Sequence, residues 1–193
     1  MSRSLRYAQW MHHPHAAQSL ESPQLKAWLS DPGSMTFKLM ARTRQFSVQR
    51  VQQKHASILA DERAPLALPS KARVAERDVI LYGDGQPVVF GHTVIPAGAV
   101  TSDWPFFGGL GERPLGATLF ADPLVRRGTL QYARLHPEHP LVRRIARALA
   151  WQHIPGPLHA RRSLFLRKGG IMLVTDIFLP AIHTLMANKQ STT

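Results

Sequence analysis

The chain has 193 residues and no cysteine, and its 24 Lys+Arg against 12 Asp+Glu give a net charge of +12. The missing cysteine excludes a disulfide scaffold, an iron–sulfur cluster, a thiolate zinc site and a cysteine nucleophile, and it suits a reducing cytoplasm. The hydrophobic 44% is spread along the chain and suffices for a core without staples; the basic surface attracts anions of any kind, from nucleic acid and acidic lipid to a small dicarboxylate.

No stretch approaches the ~18 apolar residues that a membrane helix needs. Residues 1–18 carry charges and the histidines His12, His13 and His15, and lack the ~7–15-residue apolar core of a signal peptide. The reading is an intracellular protein of one domain over 1–193, its first 20 or so and last 8 or so residues flexible. The three histidines are read as solvent-exposed and not as a metal site.

Residues 22–30, SPQLKAWLS, open with a serine cap and a proline at the first helical position, and Leu25, Trp28 and Leu29 line one face. Asp31-Pro32-Gly33 breaks that helix, and Ser34-Met35-Thr36 begins a second. In 45–53, Phe46 and Val48 alternate with Ser47 and Gln49, as in a half-exposed strand. Residues 72–82 and 88–95 are β-rich runs around Gly83-Asp84-Gly85-Gln86-Pro87, a hairpin signal. A second pair, 162–167 and 171–179, flanks Lys168-Gly169-Gly170. Between the hairpins lie a Trp/Phe/Gly-rich loop (104–111), a short helix opened by Pro114, and a basic helix near 141–152. Hairpins with flanking helices and no β-α alternation predict an α+β domain on a single antiparallel sheet.

Strand parity singles out two charges, because successive side chains point to opposite faces. In ARVAERDVILY, Ala75, Arg77, Val79 and Leu81 share a face that is apolar except for Arg77. A guanidinium cannot shed its proton, so burying it requires an anion or a dense set of acceptors. In IMLVTDIFLP, Met172, Val174, Asp176 and Phe178 share a face on which Asp176 alone is polar. Two accounts are open: Arg77 and Asp176 pair for structure or one of their strands is an edge whose charge reaches solvent, or they line a pocket for a ligand bearing a carboxylate and a hydroxyl. Two backbone positions join them. Met35 and Leu115 stand at helix starts, where free amides favour anions, although an ordinary helix cap is the commoner account of each.

These segments carry a resemblance. Gly33-Ser34-Met35-Thr36, Glu76-Arg77-Asp78-Val79-Ile80-Leu81, Gly91-His92-Thr93-Val94-Ile95-Pro96, Pro114-Leu115-Gly116 with Leu119-Phe120, Arg161-Arg162-Ser163 and Thr175-Asp176-Ile177-Phe178-Leu179-Pro180 resemble, in order, the chorismate lyase family of ubiquinone biosynthesis. The resemblance implies an oxo-acid lyase that removes pyruvate from chorismate to leave 4-hydroxybenzoate. It implies an antiparallel sheet of about six strands, with helical flaps enclosing the ligand. The implied site comprises Arg77 and Asp176 as catalytic side chains, and Met35, Arg77, Leu115 and Asp176 as substrate-binding positions. It further implies no cofactor, no metal, chorismate as partner, no nucleic acid, no stable membrane insertion, a monomer and a cytoplasmic location. The chain departs from the family pattern at Asp176, where glutamate is usual, at His92, where arginine is frequent, and in a longer 121–160 segment.

Two rivals belong to other classes. A non-catalytic ligand-sensing domain of the same fold occurs in GntR-type transcription regulators, but these carry an N-terminal winged helix, and only about 20 residues precede the first helix here. A nucleic-acid binder is suggested by the charge and by Arg143, Arg144 and Arg147 on one helix; no binding motif accompanies them, and the run reads as a solvated basic face.

Overall fold

The computed structural model describes residues 7–13 and 23–187. In chain order the elements are α1 (Pro23–Leu29), α2 (Met35–Met40), β1 (Phe46–Ser57), α3 (Arg63–Leu66), β2 (Arg73–Gly83), β3 (Gln86–Pro96), α4 (Leu115–Ala121), β4 (Val125–Arg127), β5 (Gln131–Leu135), α5 (Pro140–Ala148), β6 (Leu158–Arg167), β7 (Gly170–Phe178) and α6 (Ile182–Ala187). All pairings are antiparallel, in the order β1-β2-β3-β7-β6-β4, with β5 also on β6. The sheet therefore has seven strands where about six were expected. The extra one comes from a broken edge: β4 pairs with residues 165–167 of β6 and β5 with 158–162, so two short pieces share one neighbour.

Both hairpins form where the turn residues place them. Asp84 (φ 50°) and Gly85 (φ 78°) occupy left-handed backbone, the pair of conformations that a two-residue turn matching strand twist demands. Asp84 also accepts from the amides of Arg44 and Gln45 through Oδ1, which fixes the entry to β1. In the second hairpin Lys168 takes the left-handed position (φ 53°). A bulge at Val51 shifts the β1–β2 register, so that Arg50 opposes Val79 and Gln52 opposes Asp78.

Both faces of the central strands are covered. On the front, α1, α2 and α6 pack through Leu25, Trp28, Leu39 and Ile182 against Val79, Leu81 and Phe178. Further along the same face, Trp104, Phe107 and Leu110 of the loop and Leu115 and Leu119 of α4 sit on Ala75, Ile95 and Met172. The aromatic loop is thus an anchored plug, with Trp104 and Phe107 buried. Behind the sheet, α5 buries Leu141, Val142 and Ile145 on Ile80, Phe90 and Ile177. Each such side chain contributes roughly 1.5–3 kcal/mol of hydrophobic stabilisation. α5 ends at Ala148, short of the expected 152, because Ala150 turns left-handed (φ 50°) and Leu149 and Trp151 fold onto the core.

The N-terminal stretch expected to be flexible is partly described. Met11 exchanges backbone hydrogen bonds with Tyr132 at 2.9 and 2.8 Å, and Trp10 Nε1 donates to Asp61. His12 and His13 are exposed, while His15 lies outside the described residues.

The rear face holds a buried charge cluster. His92 is sandwiched between Asp78 (Nδ1 to Oδ1, 2.5 Å) and Glu62 (Nε2 to Oε1, 2.7 Å). Arg144 of α5 reaches inward to Glu76 at 3.0 Å and Asp78 at 3.1 Å. This corrects the reading of the basic run as uniformly solvated: Arg143 is exposed and Arg144 is a structural cation. Burial works against the His92 charge, yet Asp78 and Glu62 outweigh it and raise its pKa to about 10.

Candidate functional site

The front layer does not close completely on the sheet. A cavity with an open mouth lies between strands β1, β2, β3, β4, β6 and β7 below and helices α2 and α4 above. All four positions expected from sequence, Met35, Arg77, Leu115 and Asp176, line it. The floor follows from parity and register: Arg77 opposes Thr93, Thr93 opposes Val174, and Asp176 opposes Gly91. The roof is two short helices whose N-termini meet. A Cβ on Gly116 would lie 2.6 Å from Thr36 Oγ1 and 2.9 Å from Ser34 Oγ, so glycine is what lets α4 approach α2 so closely.

Met35 and Leu115 are the first residues of α2 and α4, as expected. Ser34 caps α2 by accepting from Phe37 N, whereas Pro114 gives α4 no side-chain cap. First-turn amides have no helical acceptor, and Met35, Leu115 and Gly116, in the first turns of the two roof helices, line the cavity.

Arg77 is 1% exposed. Its Nη2 donates to the carbonyls of Gly111 (2.9 Å) and Arg113 (3.0 Å), while its Nε is buried without a partner. It pairs with no carboxylate among the described residues, and burial, helped by nearby Arg50, pulls its pKa down to about 10. The structural pair between Arg77 and Asp176, one of the two accounts left open by the sequence, does not form. Asp176 instead accepts from Arg161 Nε at 3.0 Å. The reason is strand order: β6 lies beside β7 with Arg161 directly opposite Asp176, while β3 intervenes before β2.

Two further cavity residues were not singled out from sequence. Arg161 is 1% exposed and its Nη1 donates to the carbonyls of Asp31 and Trp28. Arg127 donates from Nε to Ser163 Oγ (2.8 Å) and from Nη1 to the carbonyls of Pro32 (2.7 Å) and Gly33 (3.2 Å). Its guanidinium also lies over the rings of Phe120 and Phe165. Burial, then the neighbouring Arg161, lowers its pKa to about 10 despite the opposing pull of Asp176. Parity on β6 places Arg161 with Ser163 and Phe165 on the cavity face; β4, at three residues, is too short for any pattern to mark Arg127.

The charged residues lining the cavity are Arg77, Arg127, Arg161 and Asp176. Asp176 and Arg161 neutralise each other, which leaves two guanidiniums without a carboxylate. His92, by contrast, lies behind the sheet with Glu62 and Asp78, so the arginine-to-histidine departure at that position does not alter the cavity wall.

An open antiparallel sheet roofed by helices over a partly enclosed, cationic cavity defines the class: an α+β domain with a cavity between sheet and helices. The family model for chorismate lyase matches residues 5–188. Among curated relatives, the probable chorismate pyruvate-lyase of Cupriavidus metallidurans is 43% identical over 189 residues, covering 98% of this chain and 87% of the relative. The probable chorismate pyruvate-lyase of Aromatoleum aromaticum is 40% identical, covering 89% and 97%. The chain belongs to the chorismate lyase family, the one its sequence segments resemble. Solved structures with a similar fold include the effector domain of PhnF from Mycobacterium smegmatis (TM-score 0.51, 18% identity, covering 77% of this chain and 90% of that one). Another is a GntR-family transcriptional regulator from Bacillus cereus (TM-score 0.52, 9% identity, covering 70% and 92%). At these identities the likeness concerns the fold alone. Among the described residues no helix is long and apolar enough to cross a membrane.

Proposed function

We propose that this protein is a chorismate pyruvate-lyase, converting chorismate to 4-hydroxybenzoate and pyruvate for ubiquinone biosynthesis. The observation that carries the reading is the charge of the cavity: two guanidiniums without carboxylate partners and one carboxylate, enclosed together. Chorismate is a dianion with one ring hydroxyl, and its charges and polar group match that set.

In the reaction the bond between the ring and the ether oxygen breaks. The proton on the ring carbon bearing the hydroxyl is lost, the methylene carbon of the departing enolpyruvyl group gains one, and the ring becomes aromatic. Aromatisation supplies much of the driving force, so the work left to the protein is orientation and electrostatics. Arg77, with its buried free Nε, neutralises a carboxylate; a bidentate guanidinium suits a planar carboxylate. Asp176 meets the ring hydroxyl, held in place by Arg161. The first amides of α2 and α4, at Met35 and Leu115, donate to the ligand from the roof, and the two roof helices shield the reacting bonds from part of the surrounding water. On this reading the protein works in the cytoplasm as a monomer, with no nucleic-acid partner and without metal or nucleotide.

The test is incubation of the purified protein with chorismate, following 4-hydroxybenzoate and pyruvate. Equimolar appearance of both is expected. Tight binding of chorismate or 4-hydroxybenzoate without turnover would overturn the lyase reading in favour of a ligand sensor.

A further inference from the structure

We propose that Arg127 is the receiver of the enolpyruvyl carboxylate, a contact that the dianionic substrate makes and the monoanionic product lacks. The proposal rests on the chorismate reading of the cavity and deepens it. It stands on where the two unneutralised guanidiniums are moored. Arg77 is tied to the carbonyls of Gly111 and Arg113, on the chain leading into α4. Arg127 is tied to Pro32 and Gly33, on the chain leading into α2, next to the Asp31 carbonyl that holds Arg161, the partner of Asp176. β2 and β4 also lie on opposite sides of β7, so the two cations enter the cavity with Asp176 between them.

The substrate has the same asymmetry. Its ring hydroxyl is para to the ring carboxylate and adjacent to the ether that carries the second carboxylate. With the hydroxyl at Asp176, the ring carboxylate points away towards Arg77 and the ether side chain towards Arg127. Arg127 is equipped for this contact. Nε and Nη1 are committed to Ser163 and the two carbonyls, which fixes the guanidinium, and Nη2 makes no hydrogen bond among the described residues. The fields of Arg161 and Asp176 both reach Arg127, whereas Arg50 is the charge that acts on Arg77. Once pyruvate has left, 4-hydroxybenzoate keeps Arg77 and Asp176 but has nothing to offer Arg127.

The test is a split between substrate and product. For Arg127→Gln, affinity for chorismate, read as KM, or as Kd by calorimetry if the wild type does not turn chorismate over, should weaken roughly ten- to a hundredfold, the usual span for losing a charged hydrogen bond. The inhibition constant of 4-hydroxybenzoate should stay near wild type, and retained product binding also shows that the cavity is folded. Arg127→Lys, which keeps the charge without the planar fork, should weaken chorismate by a smaller factor, again with the product constant unmoved. A parallel loss of substrate and product affinity in either variant, or unchanged chorismate affinity in Arg127→Gln, overturns the proposal. If the wild type binds chorismate without converting it, the lyase reading falls, and the calorimetric split still decides the role of Arg127.

Discussion

The two faces of the β2–β3 hairpin are equally buried and carry charge in opposite ways. On the rear face Glu62, Glu76 and Asp78 meet His92, Arg144 and Lys54, so the carboxylates and cations balance. On the front face Arg77 and Arg127 have no carboxylate at all. Burying charge is costly unless it is paired; the cluster around His92 pairs its charges, and Arg162, also behind the sheet, is saturated by Gln131, the Asp61 carbonyl and the Trp10 ring without a carboxylate, whereas in front two cations border an open cavity. The difference teaches that burial alone does not mark a site. What separates scaffold from binding surface is whether the partners of a buried charge are already inside the protein.

The largest expected effect lies on the balanced face. Asp78→Ala strips a carboxylate from His92 and Arg144 and should cost about 3–5 kcal/mol, a fall in Tm on the order of 6–20 °C at ~2–4 °C per kcal/mol. Activity per folded molecule should hold; a collapse of kcat/KM at unchanged Tm would erase the distinction between the faces.

Arg77→Ala should behave in the opposite way. Losing a charged contact to the ligand costs about 1.5–3 kcal/mol, a roughly 10–150-fold drop in kcat/KM, while the protein still folds and its Tm falls less than in Asp78→Ala, since two carbonyl hydrogen bonds but no ion pair are broken. Normal turnover in this variant would remove Arg77 from carboxylate binding.

Asp176 straddles the comparison, because it faces the cavity and also balances Arg161. Asp176→Ala should lose the most activity, Asp176→Asn less, since shape and some hydrogen bonding survive. Asp176→Glu should restore the usual family reach at some risk of overpacking. Tm and kcat/KM for all three decide the matter: if Asp176→Ala loses stability and keeps kcat/KM, Asp176 is only the counter-ion of Arg161.

A smaller effect is a pH slope. The folded-state pKa of His92 is raised from 6.5 to about 10, so the stability it contributes is complete below about pH 6.5 and is lost as pH rises through about 10. Tm should fall over that window, and His92→Gln should flatten this part of the profile. An identical slope in both proteins would mean that His92 is not the group responsible. The smallest expected effect is none: turnover should survive chelation with EDTA, since the sequence offers no thiolate site and the reaction moves no electrons to an acceptor.

Much of this arrangement was legible in the sequence, because the features that carried it are local. Asp84-Gly85 and Lys168-Gly169 mark turns by backbone conformation, and parity alone put Arg77 and Asp176 on cavity-facing positions. Ser34 and Pro114 marked the two roof helices that bring Met35 and Leu115 to the same space. What stayed hidden depends on which strands become neighbours. That Asp176 pairs with Arg161 follows from β6 lying beside β7, information no single segment contains. Arg127 was missed because three residues of edge strand carry no periodicity. Arg144 was misread because a basic helix face gives the same pattern whether it meets water or, as here, Glu76 and Asp78 on a neighbouring strand.

The bulged edge strand β1 has a consequence for how this protein behaves among its own copies. β1 pairs on one side only, so its other side offers backbone amides and carbonyls on which a second chain could add a strand. The extra residue at Val51 breaks the regular spacing of that template, and Arg50 and Lys54 are exposed along it. Two copies meeting edge to edge would bring like charges together on a molecule that already carries +12. The repulsion acts over roughly 8 Å at physiological ionic strength and shrinks as salt is added. Solubility at high concentration is therefore a property of ionic strength for this protein, and the basic surface serves colloidal stability as well as the attraction of an anionic ligand.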